Sequence, residues 1–266
     1  MQWISSVVGK LKAFAKFVLK RNPKLRKFLN SIIELFENRF RTDDIDSMID
    51  FFSRMKKDVY FIQIGANDGV SGDPIHTFVV RDGWSGILVE PLRDMFDRLV
   101  ENYRKQKKLI FENVAISDKN GMREFWYLKK EDDEVDDVIP AWYEALGSFM
   151  PEVVLKSAKK IPNMEDYMTK EQVKCITFET LVQKHNVEKI DIVVVDTEGY
   201  DFQVIRQIDF ERFKPSVILY ENKHLKDDEK KECKRYLRKN GYKLIRKGGN
   251  TIAFIGKVNR VSRMSP

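Results

Sequence analysis

From Val59 onward the chain alternates short apolar runs with stretches whose apolar residues recur every three or four positions. The runs at 59–64, 84–90, 109–113, 190–195 and 216–220 are rich in branched and aromatic residues, the pattern of strands buried on both faces. Between them, 73–81, 91–103, 177–185, 201–208 and 226–240 predict helices; in 91–103 the inward face is Leu92, Phe96, Leu99 and Val100. Residues 122–128 also have strand character, with Phe125 and Tyr127 on one side and Lys119-Asn120-Gly121 as the preceding turn. Tyr242–Arg246 and Thr251–Ile255, joined across Lys247-Gly248-Gly249-Asn250, predict a terminal hairpin. Strands separated by helices and closed by one hairpin imply an α/β fold with a mostly parallel sheet and an antiparallel strand near one edge.

Two segments depart from this rhythm. Residues 129–171 carry an acidic run, Glu131 to Asp137, followed by Ile139-Pro140-Ala141-Trp142-Tyr143 and Leu146-Gly147-Ser148-Phe149-Met150. An insertion of that length between alternating units predicts a lid or acceptor-binding segment. The acidic run reads as a solvated loop, because it lacks the glycine turn and terminal Glu of a calcium loop. Upstream, residues 1–57 read as a helical extension, leaving 58–256 as the main domain and 257–266 as a tail. Trp3, Val7, Val8, Leu11, Phe14, Ala15 and Val18 form one helical stripe, and Arg21-Asn22-Pro23 breaks it. A second pattern runs through Phe28, Ile32, Ile33, Leu35 and Phe36.

Charge sharpens that division. The whole chain carries +7, but residues 1–41 hold ten Lys or Arg against two acids, a net of +8 that leaves about −1 for the rest. A near-neutral main domain argues against nucleic acid as partner, since such enzymes carry basic surface around the cleft. The basic stripe admits two readings: a helix lying on an anionic membrane surface, or helices packed on the domain or a second subunit. Its lysines interrupt any signal-peptide segment, and no apolar run is long enough to span a bilayer. The expectation is a cytoplasmic protein, peripheral to the membrane on the first reading. The two cysteines, Cys175 and Cys233, have no metal-ligand spacing and fit a reducing compartment.

Chemistry concentrates where the first strand ends, in Ile64-Gly65-Ala66-Asn67-Asp68-Gly69, with Glu90 lying 21 residues past the second glycine. This layout is a first βα turn that brings backbone to a nucleotide-like ligand, with a carboxylate arriving for a ribose. Asn67 stands where a dinucleotide fingerprint needs its second glycine, no glycine follows at residue 70, and Asp68 would face a pyrophosphate. S-adenosylmethionine has no phosphate and carries a positive sulfonium, so it suits this loop better than NAD.

The chain resembles the FkbM-type family of S-adenosylmethionine-dependent methyltransferases. The matching pieces are Ile64 to Gly69, Leu88-Val89-Glu90-Pro91, Asn113-Val114-Ala115-Ile116-Ser117-Asp118, Val195-Asp196-Thr197-Glu198-Gly199-Tyr200, Thr177 to Leu181 and Lys214-Pro215. They keep their order over about 58–256. The resemblance implies a doubly wound, Rossmann-like, seven-stranded class I methyltransferase that acts on a hydroxyl of a sugar or related metabolite. It implies that Gly65, Ala66, Asn67 and Gly69 shape the loop around the cofactor's methionine part. Glu90, with Pro91 beside it, would take the ribose hydroxyls, and Asn113, Val114, Ala115 and Ser117 would border the adenine. Gln63 stands where the family commonly has an acid; its carbonyl can still accept from the cofactor ammonium, and Asp68 or Asp196 could supply the charge.

Asp196 ends the most apolar strand, at the edge where open α/β sheets bind ligands. Methyl transfer to an alcohol needs a positioned nucleophile and a base, and Asp196, Glu198 and His224 are the candidates, with Glu221 behind them. By position alone Asp196 also fits a cap on the next helix. His185 fits dipole compensation at a helix end, and His76 lies near the cofactor loop. No His-rich or Asp-Asn ligand set calls for a metal. The leading reading is O-methylation of a glycan or small-molecule hydroxyl. N-methylation is disfavoured for want of an Asn-Pro-Pro-aromatic motif, and a non-catalytic scaffold recruited through residues 1–41 is the alternative that Gln63 keeps open.

Overall fold

The computed structural model describes residues 45–129, 146–157 and 164–255. The basic stripe of residues 1–41, the acidic run 131–137, Ile139 to Tyr143 and the tail 257–266 lie outside the described residues.

The main sheet has seven strands: β1 (Tyr60–Ile64), β2 (Ser85–Val89), β3 (Leu109–Glu112), β8 (Ile192–Val195), β9 (Val217–Glu221), β10 (Lys243–Lys247) and β11 (Asn250–Phe254). Their order is β10-β11-β9-β8-β1-β2-β3. All neighbours pair in parallel except β11, which is antiparallel to both β9 and β10. The hairpin turn is tighter than the sequence suggests: β10 and β11 each extend one residue into it, and Gly248 takes the left-handed backbone (φ 58°) that the bend requires.

Helices cover both faces. Phe61, Leu88, Ile192, Val194 and Leu219 pack with α1 (Ile45–Met55), α2 (His76–Asp82) and α3 (Arg93–Asn102). The alternate residues Ile62, Ile64, Val193, Val195 and Ile218 pack with α5 (Phe178–Lys184), α6 (Asp201–Ile205) and α7 (Asp227–Lys239). Each such fully buried side chain contributes about 1.5–3 kcal/mol. Thr177 caps α5 by accepting the N–H of Thr180 at 3.1 Å. Ile45, Ile49 and Phe52 of α1 belong to the same core as Val59, Phe61 and Trp84, and the Trp84 indole donates to Ser53 Oγ at 3.1 Å. Residues 45–55, grouped by sequence with the extension, are therefore part of the domain core.

A second sheet stands beside the first. It comprises β4 (Ala115–Ile116), β5 (Gly121–Leu128), β6 (Gly147–Ser148) and β7 (Met168–Ile176), in the order β4-β7-β5-β6. Residues 122–128 form the expected strand but pair here, from Gly121 opposite Cys175 to Leu128 opposite Met168. The sequence places 168–171 in the insertion, and β7 corrects that. Only Val173, Cys175 and Ile176 of β7 are buried, so ladder pairing with β5 builds this strand more than an apolar pattern does. Within the insertion, Val154 of helix α4 (Pro151–Ser157) packs with Leu128 and Leu146 against this sheet.

Candidate active site

The chain runs from β1 to β2 to β3 in one direction and from β8 to β9 in the other, so the sheet's switch point lies between β1 and β8. At the carboxyl ends of these strands opens a cavity of about 290 Å³. That is where an open α/β sheet binds its ligand. Gly65 (φ 76°) makes the crossing possible: a Cβ there would lie 1.7 Å from the Asp196 carbonyl oxygen. The N–H groups of Gly65 and Ala66 both donate to Val89 O at 3.0 Å, tying the loop to β2. Asn67 also adopts positive φ (49°) and leaves its buried Oδ1 without a partner.

Glu90 sits immediately after β2, 6% exposed, and lines the cavity. Its Oε2 accepts the Asn67 N–H at 2.8 Å and its Oε1 the Leu92 N–H at 3.0 Å. Burial pushes its pKa up to about 7, with the Asp196 charge adding to the rise. Gln63, at the position where an acid was expected, donates from Nε2 to Asp73 Oδ2 at 2.8 Å, and its Oε1 is buried without a partner. Asp73 lines the cavity, and its Oδ1 accepts the N–H groups of Ile75 and His76. That turn delays the start of α2 to His76 and presents a carboxylate where Gln63 brings none. Sequence reasoning missed this role; the usable signal was an Asp three residues before a helical run.

On the other side Asp196, Glu198 and Glu221 all line the cavity. Asp196 is not a helix cap. Helix α6 begins five residues later without a side-chain cap, and the Asp196 side chain opens onto the crevice. Asp196 itself remains exposed to solvent, while loss of bulk water around the crevice and the Asp73 charge raise its pKa against the pull of Lys223. Glu198 holds a left-handed backbone (φ 48°) followed by Gly199 (φ 98°). The buried Asp201 fixes this turn: its carboxylate accepts from Thr197 Oγ1, Gly199 N and Glu221 N at 3.1–3.3 Å. Ser148 Oγ donates to the Glu198 carbonyl at 2.8 Å, joining β6 to the same turn.

His224 lies outside the cavity wall, and its Nε2 is 3.1 Å from Glu198 Oε2 and 3.7 Å from Glu221 Oε2. Burial and three neighbouring lysines push its pKa down to about 4. Burial raises Glu198 to about 8 and Glu221 to about 7, with Asp196 adding to both. The contact therefore joins a neutral imidazole to carboxyl groups that resist ionisation, and it is not a strong ion pair.

Of the other sequence-predicted residues, Pro91, Val114 and Ala115 line the cavity. Asp68, Gly69, Asn113 and Ser117 do not. Asp68 accepts from Val70 N, Ser71 N and Ser71 Oγ, so its charge is held within the loop itself. Gly69 packs toward Leu99 and Tyr103. The Asn113 amide donates to the carbonyls of Glu90 and Pro91, a supporting role behind the site. Buried Ser117 accepts from Arg123 at 2.6 Å, and that guanidinium lies 4.1 Å from the Phe149 ring centre. Phe149 and Gly147 bring the described part of the insertion into the cavity wall. His76 meets the Tyr103 ring at a tilt, with ring centres 5.1 Å apart, and His185 pairs with Glu112 at the end of β3.

A family model described as the methyltransferase FkbM domain matches residues 63–244. The chain belongs to the FkbM methyltransferase family. The matched span runs from Gln63 to the first strand of the hairpin, so Asp73, Glu90, Asp196, Glu198 and Glu221 of the crevice all fall within it. FkbM methyltransferases are methyl-transferring enzymes, and the family implies S-adenosylmethionine in general. No curated protein sequence matches the chain. Among solved structures it is similar to a methyltransferase FkbM from Methylobacillus flagellatus KT, with 10% identity and a TM-score of 0.47. That match covers 74% of this chain and 43% of the other, so this chain spans less than half the length of that protein. It is also similar to a ribosomal protein L11 methylase from Lactobacillus delbrueckii subsp. bulgaricus, with 10% identity, coverage of 80% and 77%, and a TM-score of 0.39. A precorrin-6y C5,15-methyltransferase from Geobacter metallireducens GS-15 matches with 11% identity, coverage of 79% and 86%, and the same TM-score of 0.39. Among the described residues no helix is long and apolar enough to cross a membrane.

Proposed function

We propose that this FkbM methyltransferase binds S-adenosylmethionine across the ends of β1, β2 and β8 and methylates a hydroxyl of a sugar, glycan or related metabolite. The observation that carries the reading is the juxtaposition of Glu90, Asp73 and Asp196 around one cavity whose floor, at Gly65, has no room for a side chain. The residues fit the cofactor. Glu90 would accept from ribose hydroxyls, and the unpartnered Gln63 Oε1 together with Asp73 would offer acceptors and negative charge to an ammonium group. When bound, the cofactor supplies an electrophilic methyl group on a cationic sulfonium.

Asp196 has the role of base. Its raised pKa makes this carboxylate a better proton acceptor than a free aspartate. It would take the proton of the acceptor hydroxyl as the methyl group supplied by the bound cofactor is transferred to that oxygen. Glu198, with Phe149 nearby, forms the acceptor side of the crevice, and His224 supports Glu198 from behind. Residues 1–41 would hold the enzyme at an anionic membrane surface or a lipid-linked acceptor, a reading supported by their net charge of +8.

Calorimetry with S-adenosylhomocysteine, S-adenosylmethionine and NAD tests the cofactor: the adenosyl compounds should bind, and binding of NAD alone would sink the reading. Asp196→Asn should lower turnover far more than it lowers the melting temperature. Full activity of that variant on a true acceptor would remove Asp196 from the chemistry.

A further inference from the structure

Three side chains from separate segments converge at the acceptor side of the crevice. Glu198 comes from the left-handed turn after β8, Glu221 is the last residue of β9, and His224 lies in the connection to α7. One ligand atom from each lies within 4.8 Å of the others. The His224 side chain is only 3% exposed and turns Nε2 toward both carboxylates, at 3.1 and 3.7 Å. Glu198 Oε2, Glu221 Oε2 and His224 Nδ1 are all buried without a hydrogen-bond partner. The other contact of Nε2 is Ser157 Oγ at 3.5 Å, too long for a firm hydrogen bond. Two buried carboxylate oxygens without a hydrogen-bond partner face Nε2 of a buried imidazole whose other nitrogen, Nδ1, is unpartnered as well, a pocket rich in acceptors that can take a positive species at its centre.

The spacing says what that species is. Bonds of about 2.0–2.2 Å to nitrogen and oxygen place adjacent ligands of one cation about 3 Å apart and opposite ones about 4 Å apart. The two separations from His224 Nε2, 3.1 and 3.7 Å, fall in that interval, and the two carboxylates lie within 4.8 Å of each other. An imidazole among the donors favours a transition metal over calcium or magnesium, and two carboxylates suit a harder member of that series. Three protein ligands leave positions open, as catalytic metal sites do, and two of the three also line the cavity. We propose that Glu198, Glu221 and His224 bind one divalent transition-metal cation whose open positions face the crevice and take an oxygen of the methyl acceptor. The acceptor part of this inference rests on the methyltransferase reading; the metal site itself rests on the three side chains.

Mn²⁺ is the probe. The full chain is titrated with Mn²⁺ and free ion is followed by electron paramagnetic resonance, while S-adenosylhomocysteine binding is measured on the same samples. One Mn²⁺ should bind per chain, and its pulsed spectrum should show coupling to an imidazole nitrogen. Glu221→Gln and His224→Gln should each weaken Mn²⁺ binding by about tenfold or more. Circular dichroism checks that each variant folds, and Glu198→Gln replaces one that does not. No binding at millimolar Mn²⁺, or binding that neither variant weakens, overturns the site; the three groups would then simply share protons. Mn²⁺ binding without nitrogen coupling overturns it as well. Loss of Mn²⁺ binding with S-adenosylhomocysteine retained sinks the metal alone, whereas Mn²⁺ bound without S-adenosylhomocysteine sinks the cofactor reading and keeps the metal.

Discussion

Gly65→Ala is the most severe small change this site offers, and its cost can be worked from two distances. The new Cβ would lie 1.7 Å from the Asp196 carbonyl oxygen, whereas carbon and oxygen ordinarily touch at about 3.3 Å. The ends of β1 and β8 must therefore separate by about 1.6 Å, the difference between those distances. That opening breaks the hydrogen bond from Asp196 N to Ile64 O, now 2.9 Å, and strains those from Gly65 and Ala66 to Val89. Loss of one to two such bonds costs about 1–2 kcal/mol, and the left-handed backbone adds about 1–2 kcal/mol for a residue with a Cβ. With residual crowding, the total comes to about 4 kcal/mol, a large share of a typical domain's stability. Gly83→Ala is the control. Gly83 has a similar φ of 63° but nothing within 4 Å of its Cβ position, so only the backbone penalty applies. Urea unfolding of both variants gives the two stabilities, and calorimetry with S-adenosylhomocysteine reports the site. If Gly65→Ala unfolds within about 1 kcal/mol of Gly83→Ala and still binds the ligand normally, the close approach does not shape the site and the reasoning fails.

Three further outcomes are expected. Glu90 has a folded-state pKa of about 7 against 4.5 for the free group, so the folded chain binds its proton more tightly. Ligand-free stability should therefore fall as pH rises from about 4.5 to about 7, by on the order of 3 kcal/mol from this residue, and Glu90→Gln should reduce the slope by that share, leaving the part due to Asp196, Glu198 and Glu221, in urea titrations at about pH 5 and 7.5. An unchanged slope would show that Glu90 is not the group responsible. Asp73→Asn keeps the oxygen that starts α2 but loses the charge, so it should weaken S-adenosylmethionine binding by about tenfold with little change in melting temperature. Equal affinity would return the ammonium to another acid. In liposome co-sedimentation, full-length protein should bind anionic vesicles in a salt-sensitive way and a chain starting near Thr42 should not; equal sedimentation of the two would remove the membrane role.

The centre of the main sheet was legible because β1, β2, β8 and β9 are buried on both faces. Ile192 to Val195 has no polar residue to mislead, and the helices between strands show clear apolar faces. The second sheet was half legible. Residues 122–128 alternate enough to read as a strand, but nothing in them says that they leave the main sheet. Their partner β7 carries Thr169, Lys170, Glu171 and Gln172 in succession, and its position is set by ladder bonds to β5 that no local pattern encodes. Helix α1 was absorbed into the basic extension because composition changes gradually there, while Ile49 and Phe52 make their core contacts with residues far along the chain.

The site divides along the same line between local and distant information. Gly65, Asn67, Glu90 and Asp196 were readable because each stands at the end of a strand, where strand order alone fixes its neighbourhood. Asp68 and Ser117 lie in the right segments, yet their side chains turn to local partners, and one-residue differences of direction are invisible without coordinates. Asp73 was missed for the opposite reason: its role arises from a Gln63 amide ten residues away. Glu198 and Glu221 also owe their role to distant contacts. In sequence Glu198 is a catalytic candidate by its closeness to Asp196, whereas Glu221 stands behind the other candidates. It is the left-handed turn held by Asp201 that swings Glu198 toward the end of β9. The shape of this side of the crevice thus depends on a residue that lies outside the cavity wall, and Asp201, like Gly65, sets the geometry of the crevice.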